Sequence, residues 1–218
     1  MYEYTCNIPG TSEVAMCLLG DLSGRNVLDM GCYQGETSRE MAAAGAEVWS
    51  CDLLTWEGVQ SLQHFQCVDL NEALNYSDAQ FDAILCTDVI EHLERPQRML
   101  RECARILKLG GTLILSTPNT SNVVSRLSFL LRGEFLLHRR YHFDHWGHIF
   151  PVTMSWLQAA AEMEGFVIEC VVSEDNSEKL KRKLIRFAMY PIHFAVRNQF
   201  GARCYGQTLI VRLRRIER

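Results

Sequence analysis

Four short apolar runs, each ending at or just before an aspartate, alternate with helix-length stretches through the first half of this chain. Asn26–Met30 contains Asp29, Glu47–Cys51 precedes Asp52, Phe65–Val68 precedes Asp69, and Phe81–Cys86 precedes Thr87 and Asp88. Helices are expected over 10–20, from about Glu36 to Ala44 with Gly45 as its cap, and over 55–62. The clearest helix starts at Pro96, whose missing N–H costs nothing in a first turn. There Met99, Leu100, Cys103, Ile106 and Leu107 recur at helical spacing until Gly110-Gly111 stops the pattern. Further strands are expected at Thr112–Ser116, Phe166–Val172 and Thr208–Leu213, with a helix near Thr153–Glu164. Strands and helices alternating at this rhythm predict an α/β fold, a mostly parallel sheet covered on both faces.

In a doubly wound sheet, ligands bind beyond the carboxyl ends of the strands, where these four acids would stand in register. Gly31 and Gly35 would let the backbone approach such a ligand and turn into the next helix. Asp52 follows about twenty residues after the glycine loop, the spacing at which an acid meets a ribose. A nucleoside ligand is therefore expected, and an NAD-dependent oxidoreductase is one reading of it. Two details count against that reading. The loop Gly31-Cys-Tyr-Gln-Gly35 lacks the GxGxxG pattern, and Asp29 ahead of it would repel a phosphate but suit an ammonium or sulfonium.

The residues VLDMGCYQGETS resemble the first motif of class I S-adenosylmethionine-dependent methyltransferases. FDAILCTDVIEHLERPQRMLRECARILKLGGTLILSTPN resembles the block joining their fourth and fifth strands, in the manner of quinone-biosynthesis-type and glycan-cluster small-molecule enzymes. The resemblance runs from about Arg25 to Asn119 and is weaker at GHIFPVTMSWLQAAAEMEGF. It implies a Rossmann-like, doubly wound, mostly parallel seven-stranded sheet with an antiparallel last strand and helices on both faces. One methyltransferase domain would span 1–218, with variable substrate-side segments at 119–150 and 175–206.

The same resemblance implies site roles. Asp29, Gly31, Gln34 and Gly35 would surround the methionine end of S-adenosylmethionine, and Asp52 would accept from both ribose hydroxyls, with Leu53 beside the adenine. Asp69 and Leu70 would hold the adenine edge and face, and the backbone at Cys86 and Thr87 would contact its amino group. Tyr33 departs from the pattern, standing where the family has its second glycine, and is expected to cover the cofactor. A degraded site in a non-catalytic binding module is the other reading of Tyr33.

Methyl transfer needs a general base only where the acceptor must lose a proton. Glu91 and His92, at the mouth of the site, are candidates, as are His145 and His148 in a segment holding four of the seven histidines. In some quinone-type relatives an acid-x-x-Glu-His pattern holds a divalent metal, and Asp88, Glu91 and His92 fit it. No metal is expected all the same, and zinc-finger spacing is absent. The expected acceptor is a small molecule, glycan or lipid-linked precursor, methylated on oxygen.

Nine cysteines without a CxxC pair, several inside apolar runs, point to a reducing, cytoplasmic compartment. The opening MYEYTCNIPG carries no signal-peptide pattern, and no apolar run is long enough to span a bilayer. The net charge of −4 conceals an asymmetry: eleven Lys and Arg against two Glu lie from Glu178 onward. The apolar-basic stretch 179–200 is a candidate for peripheral membrane contact. No RNA-binding signature accompanies it, so no nucleic-acid partner is expected.

Overall fold

The computed structural model describes residues 10–174 and 206–217. Seven strands form one sheet: β1 (Asn26–Met30), β2 (Glu47–Asp52), β3 (His64–Cys67), β4 (Phe81–Cys86), β5 (Leu107–Pro118), β6 (Phe166–Glu174) and β7 (Thr208–Arg215). Their spatial order is β3-β2-β1-β4-β5-β7-β6, parallel except that β7 runs antiparallel to both of its neighbours. Helices α1 (Thr11–Leu19), α2 (Glu36–Ala43), α3 (Pro96–Ile106) and α6 (Met154–Met163) pack on it, while α4 (Val123–Arg132) and α5 (Arg140–Trp146) follow β5.

Side chains alternate across each strand, so the continuous apolar runs supply two cores at once. Leu28, Met30, Ile84, Leu113 and Leu115 face a large core with Met99, Leu100, Cys103 and Leu157 of α3 and α6. Val27, Ala83, Leu85 and Ile114 face the other side, packing with Ala15, Leu19 and Met41 of α1 and α2. Asp29 lies on this second side, in register with Ser50 of β2.

The helix beginning at Pro96 stops at Ile106, four residues short of the expected glycine pair. Leu107 is already extended and buried opposite Phe81, so β5 begins there and runs through Gly110-Gly111 to Pro118. Burial of Leu107 between β4 and α3 outweighs the helical spacing that its side chain continues. The variable segment 119–150 contains two helices, α4 and α5, and the stretch 179–200 lies outside the described residues. Among the described residues no helix is long and apolar enough to cross a membrane.

Candidate active site

The strand order reverses between β1 and β4, the place at which ligands bind in open α/β sheets. Register aligns Met30 with Cys51 and Cys86, and Cys86 with Leu115. Gly31, Asp52, Thr87 and Ser116 therefore stand in one row along the carboxyl edge.

Gly31 and Gly35 both adopt positive φ, 75° and 76°. A Cβ at Gly31 would collide with the Val89 side chain, and one at Gly35 would press on Leu62. Tyr33 holds φ 48°, the left-handed conformation that glycine adopts freely and tyrosine seldom does. Its amide donates to Asp52 Oδ2 at 2.9 Å, and its ring meets Trp56 edge-on with centroids 4.7 Å apart. Asp52 Oδ1 accepts from the Leu54 amide at 3.0 Å and the Trp56 indole at 3.1 Å. One carboxylate thus ties the glycine loop to the end of β2. Leu53 beside it is 55% exposed.

Asp29 lies beneath this loop. Its Oδ2 accepts from the Ser38 hydroxyl at 2.6 Å, and Ser38 accepts from Ser50 at 2.9 Å. Burial raises its pKa to about 6 despite the Ser38 bond, and the nearby Asp52 adds to the rise. Asp29 is therefore closed off from solvent beneath the loop.

On the loop that follows β4, Glu91 is 1% exposed, and neither carboxylate oxygen has a hydrogen-bond partner among the described residues. Its backbone carbonyl accepts from Ile149 and Phe150, which draws the histidine segment over it. His92 Nδ1 lies 3.2 Å from the Gly147 carbonyl, and His148 Nδ1 lies 2.7 Å from that of Leu137. A carbonyl can only accept, so both Nδ1 atoms carry the proton and both Nε2 atoms present lone pairs. Glu91, His92 and His148 each offer one donor atom, all within 4.8 Å of one another. His148 is the hub, its ring 5.0 Å from His92, 5.5 Å from His138 and 6.3 Å from His142.

Burial governs the charge state of this cluster. It lowers the pKa of His92 and of His138 to about 4, with the neighbouring His148 adding to both shifts. It also lowers His142 and His148. Glu91 is pushed well above the ordinary carboxylate range, first by burial and then by Asp88. The imidazoles are thus unprotonated near pH 7, and burial favours the protonated form of Glu91.

An acid raised in this way keeps its proton where the unfolded chain has lost it. Its stabilising contribution is full below the unfolded value of about 4.3 and is lost as pH rises through the folded one. Glu91→Gln removes that titration. The variant is expected to melt about 3 °C or more above the native chain at about pH 8, with the gap closing at about pH 5. Parallel melting curves at both pH values would show that Glu91 is not buried as an acid.

A family profile described as methyltransferase domain matches residues 11–171. The chain belongs to this methyltransferase family. It is similar to the ubiquinone biosynthesis O-methyltransferase of Alkalilimnicola ehrlichii, 35% identical over 133 residues, covering 57% of this chain and 53% of that protein. A protein of the same name from Bordetella avium is 33% identical over 161 residues, covering 68% and 66%. The chain therefore spans between half and two thirds of the length of these curated relatives. The fold resembles a solved S-adenosylmethionine-dependent methyltransferase from Archaeoglobus fulgidus, with TM-score 0.66, 20% identity, and 94% of this chain and 95% of that one covered.

Several of the expected residues have partners of their own. Gln34 Oε1 accepts from the Gly58 amide at 3.1 Å, clipping the loop to the turn over Glu57–Ser61. Leu70 is buried in the large core. Asp69 is exposed at the end of β3, with Oδ1 occupied by the backbone and side chain of Asn71. Cys86 and Thr87 are buried, Cys86 with its side chain in the core.

Asp88 drops out of the candidate metal set. Its Oδ1 accepts from the Ser116 hydroxyl at 2.7 Å, and the third donor beside Glu91 and His92 is His148. His145 is exposed and stacks on Tyr141, with centroids 4.2 Å apart. The cause is helical spacing: Tyr141 and His145 share one face of α5, while His142 and Trp146 share the face turned to His148. His138 and His142 join the cluster in its place. Their density in the sequence was a signal; which way each faced was not.

Proposed function

We propose that this chain is an S-adenosylmethionine-dependent O-methyltransferase acting on a small-molecule acceptor with an ionisable hydroxyl. What carries the reading is the pairing of a glycine loop tied to Asp52 at the β1/β4 reversal with a buried cluster of histidines built on the loop that follows β4. The names of the relatives and of the solved methyltransferase support the cofactor and the class of acceptor atom. Residues 1–218 are read as one catalytic domain, with 119–150 and 175–206 as its acceptor-side segments.

The donors present suit the cofactor: a backbone-lined loop, a carboxylate with N–H partners at the ribose position, and an exposed Leu53. When bound, the cofactor supplies a methyl group already activated by its sulfonium. Gly31 and Gly35 bring the loop backbone close to it, and Asp52 exchanges some of its present N–H partners for ribose hydroxyls. The Asp29 charge favours the cationic end from below. Tyr33 keeps the backbone shape of the missing glycine and sets its ring against Trp56, which is how a bulky residue is accommodated without closing the loop.

His148 is the proposed base. Its Nε2 lone pair faces the cluster, its tautomer is fixed by Leu137, and burial keeps it unprotonated near neutrality. It would take the hydroxyl proton as the acceptor oxygen is aligned for attack, alignment supplying much of the rate. His92 supports the same wall, and burial of Glu91 disfavours a negative charge beside the forming oxyanion. By donor type, one carboxylate and two imidazoles suit a divalent cation. Glu91, His92 and His148 would hold it in place of that proton transfer, since the one free lone pair of His148 cannot serve both, and it would polarise the acceptor oxygen there. With no such ion in use, exhaustive chelation is expected to leave both melting temperature and turnover unchanged.

A thermal-shift comparison tests the cofactor. S-adenosylhomocysteine at about 100 times its dissociation constant is expected to stabilise the chain by about 2.7 kcal/mol, a shift of about 5–10 °C. NADH is expected to produce none, and selective stabilisation by NADH would replace this reading with the oxidoreductase one.

A further inference from the structure

Asp52 already holds three N–H donors. Its Oδ2 accepts from the Tyr33 amide at 2.9 Å, and its Oδ1 accepts from the Leu54 amide at 3.0 Å and the Trp56 indole at 3.1 Å. An ionised carboxylate offers about four lone-pair sites. Two ribose hydroxyls added to these three donors exceed that number, so at least one N–H must leave when the diol arrives.

The backbone around the carboxylate decides which. The Tyr33 amide is fixed from both sides: the Gly31 and Cys32 amides donate to the Cys51 carbonyl at 2.8 and 3.1 Å, and the Gly35 amide donates to that of Cys32 at 2.8 Å. The Leu54 amide stands two residues after Asp52, in the local turn that an aspartate makes with its own backbone. The main chain of Trp56 is held as well, since it opens the turn over Glu57–Ser61 and its carbonyl accepts from the Val59 amide at 3.3 Å. That turn is joined to the glycine loop by Gln34, and by Arg39, whose Nη1 donates to the carbonyls of Gln34 and Gly58 at 3.0 and 3.2 Å. A Cβ at Gly58 would collide with the Gln34 carbonyl, so the two segments meet without clearance. Of the three donors, only the indole is carried on a side chain that can change rotamer while the backbone stays in place.

We propose that the Trp56 indole stands in for a ribose hydroxyl on Asp52 and leaves when the ribose binds, which makes Trp56 a residue that sets cofactor affinity. The inference rests on the reading of Asp52 as the ribose carboxylate and identifies the partner that is exchanged. Tyr33 gains a purpose from it: the ring, 4.7 Å from that of Trp56 and edge-on, holds the indole beside Asp52, where a glycine would leave that side bare. Cofactor and product carry the same ribose, so both must displace the same N–H.

Trp56→Phe keeps an aromatic ring for Tyr33 but has no N–H to give. It is expected to bind S-adenosylhomocysteine about tenfold or more tightly than the native chain in calorimetry, because a competing bond to a charged acceptor is gone. Equal or weaker binding would overturn the inference, since the indole would then not compete or would itself hold the ligand. The native chain gives a second readout by NMR. Of the indole N–H resonances from its four tryptophans, the one missing in Trp56→Phe belongs to Trp56. S-adenosylhomocysteine should shift this resonance upfield as the charged acceptor is lost, and an analogue lacking both ribose hydroxyls should leave it in place. A resonance that stays put with S-adenosylhomocysteine bound, or moves equally with both ligands, would also overturn the inference. Neither readout needs turnover. A native chain that binds no S-adenosylhomocysteine refutes the methyltransferase reading, whereas binding with the indole unmoved refutes this inference alone.

Discussion

Asp52→Ala is expected to weaken S-adenosylhomocysteine binding about 100-fold or more in calorimetry. Hydrogen bonds to a charged acceptor contribute about 1.5–3 kcal/mol each, so loss of two toward a ribose is enough for that factor. Removal of this carboxylate also leaves the Tyr33 amide and the Trp56 indole without their acceptor, and the glycine loop loses its tie to β2. Asp52→Asn separates the two effects. It keeps one oxygen for the Tyr33 amide while losing the charge, and should bind better than the alanine variant but well below the native chain. Native affinity in both variants would remove Asp52 from the ribose site.

His148→Ala is expected to lower kcat by about 10²–10⁴, the range for a lost general base, with S-adenosylhomocysteine affinity unchanged. The pH profile distinguishes a base from a structural residue. A base works unprotonated, so activity falls as pH drops through its folded pKa. Burial has lowered that value, so the native acid limb should lie below the ordinary histidine value of about 6.5. Acceptors with more acidic hydroxyls should lose less in the variant, because less proton removal is asked of the protein. An unchanged kcat, or an equal loss for all acceptors, would assign His148 to structure alone.

The order of strands and helices was legible because it rests on local chemistry. Apolar runs of strand length, helical spacing after Pro96 and glycines at turns each act within a few residues. Helix α3 shows both the strength and the limit of this: its start was set by proline, but its end depended on Leu107 being buried against a strand 26 positions away. The acids at the strand ends were equally legible, since the carboxyl edge of a parallel sheet gathers whatever follows each strand.

What the sequence determined, then, was the sheet, its reversal between β1 and β4, and the placement of Asp29, Gly31 and Asp52 at the carboxyl ends of β1 and β2. Which way each side chain faces was decided by tertiary structure. Gln34 went to Gly58, Leu70 to the core and Asp88 to Ser116, because each met a partner brought near only by folding. His145 and His148 look alike in sequence, but one turn of α5 and a carbonyl from Leu137 sent one to solvent and the other to the centre of the cluster. The glycine loop at Asp29–Gly35 carries the same lesson. Its position is written in the sequence, but the means by which Tyr33 replaces a glycine, through an amide bond to Asp52 and a ring against Trp56, exists only once β1 and β2 lie side by side.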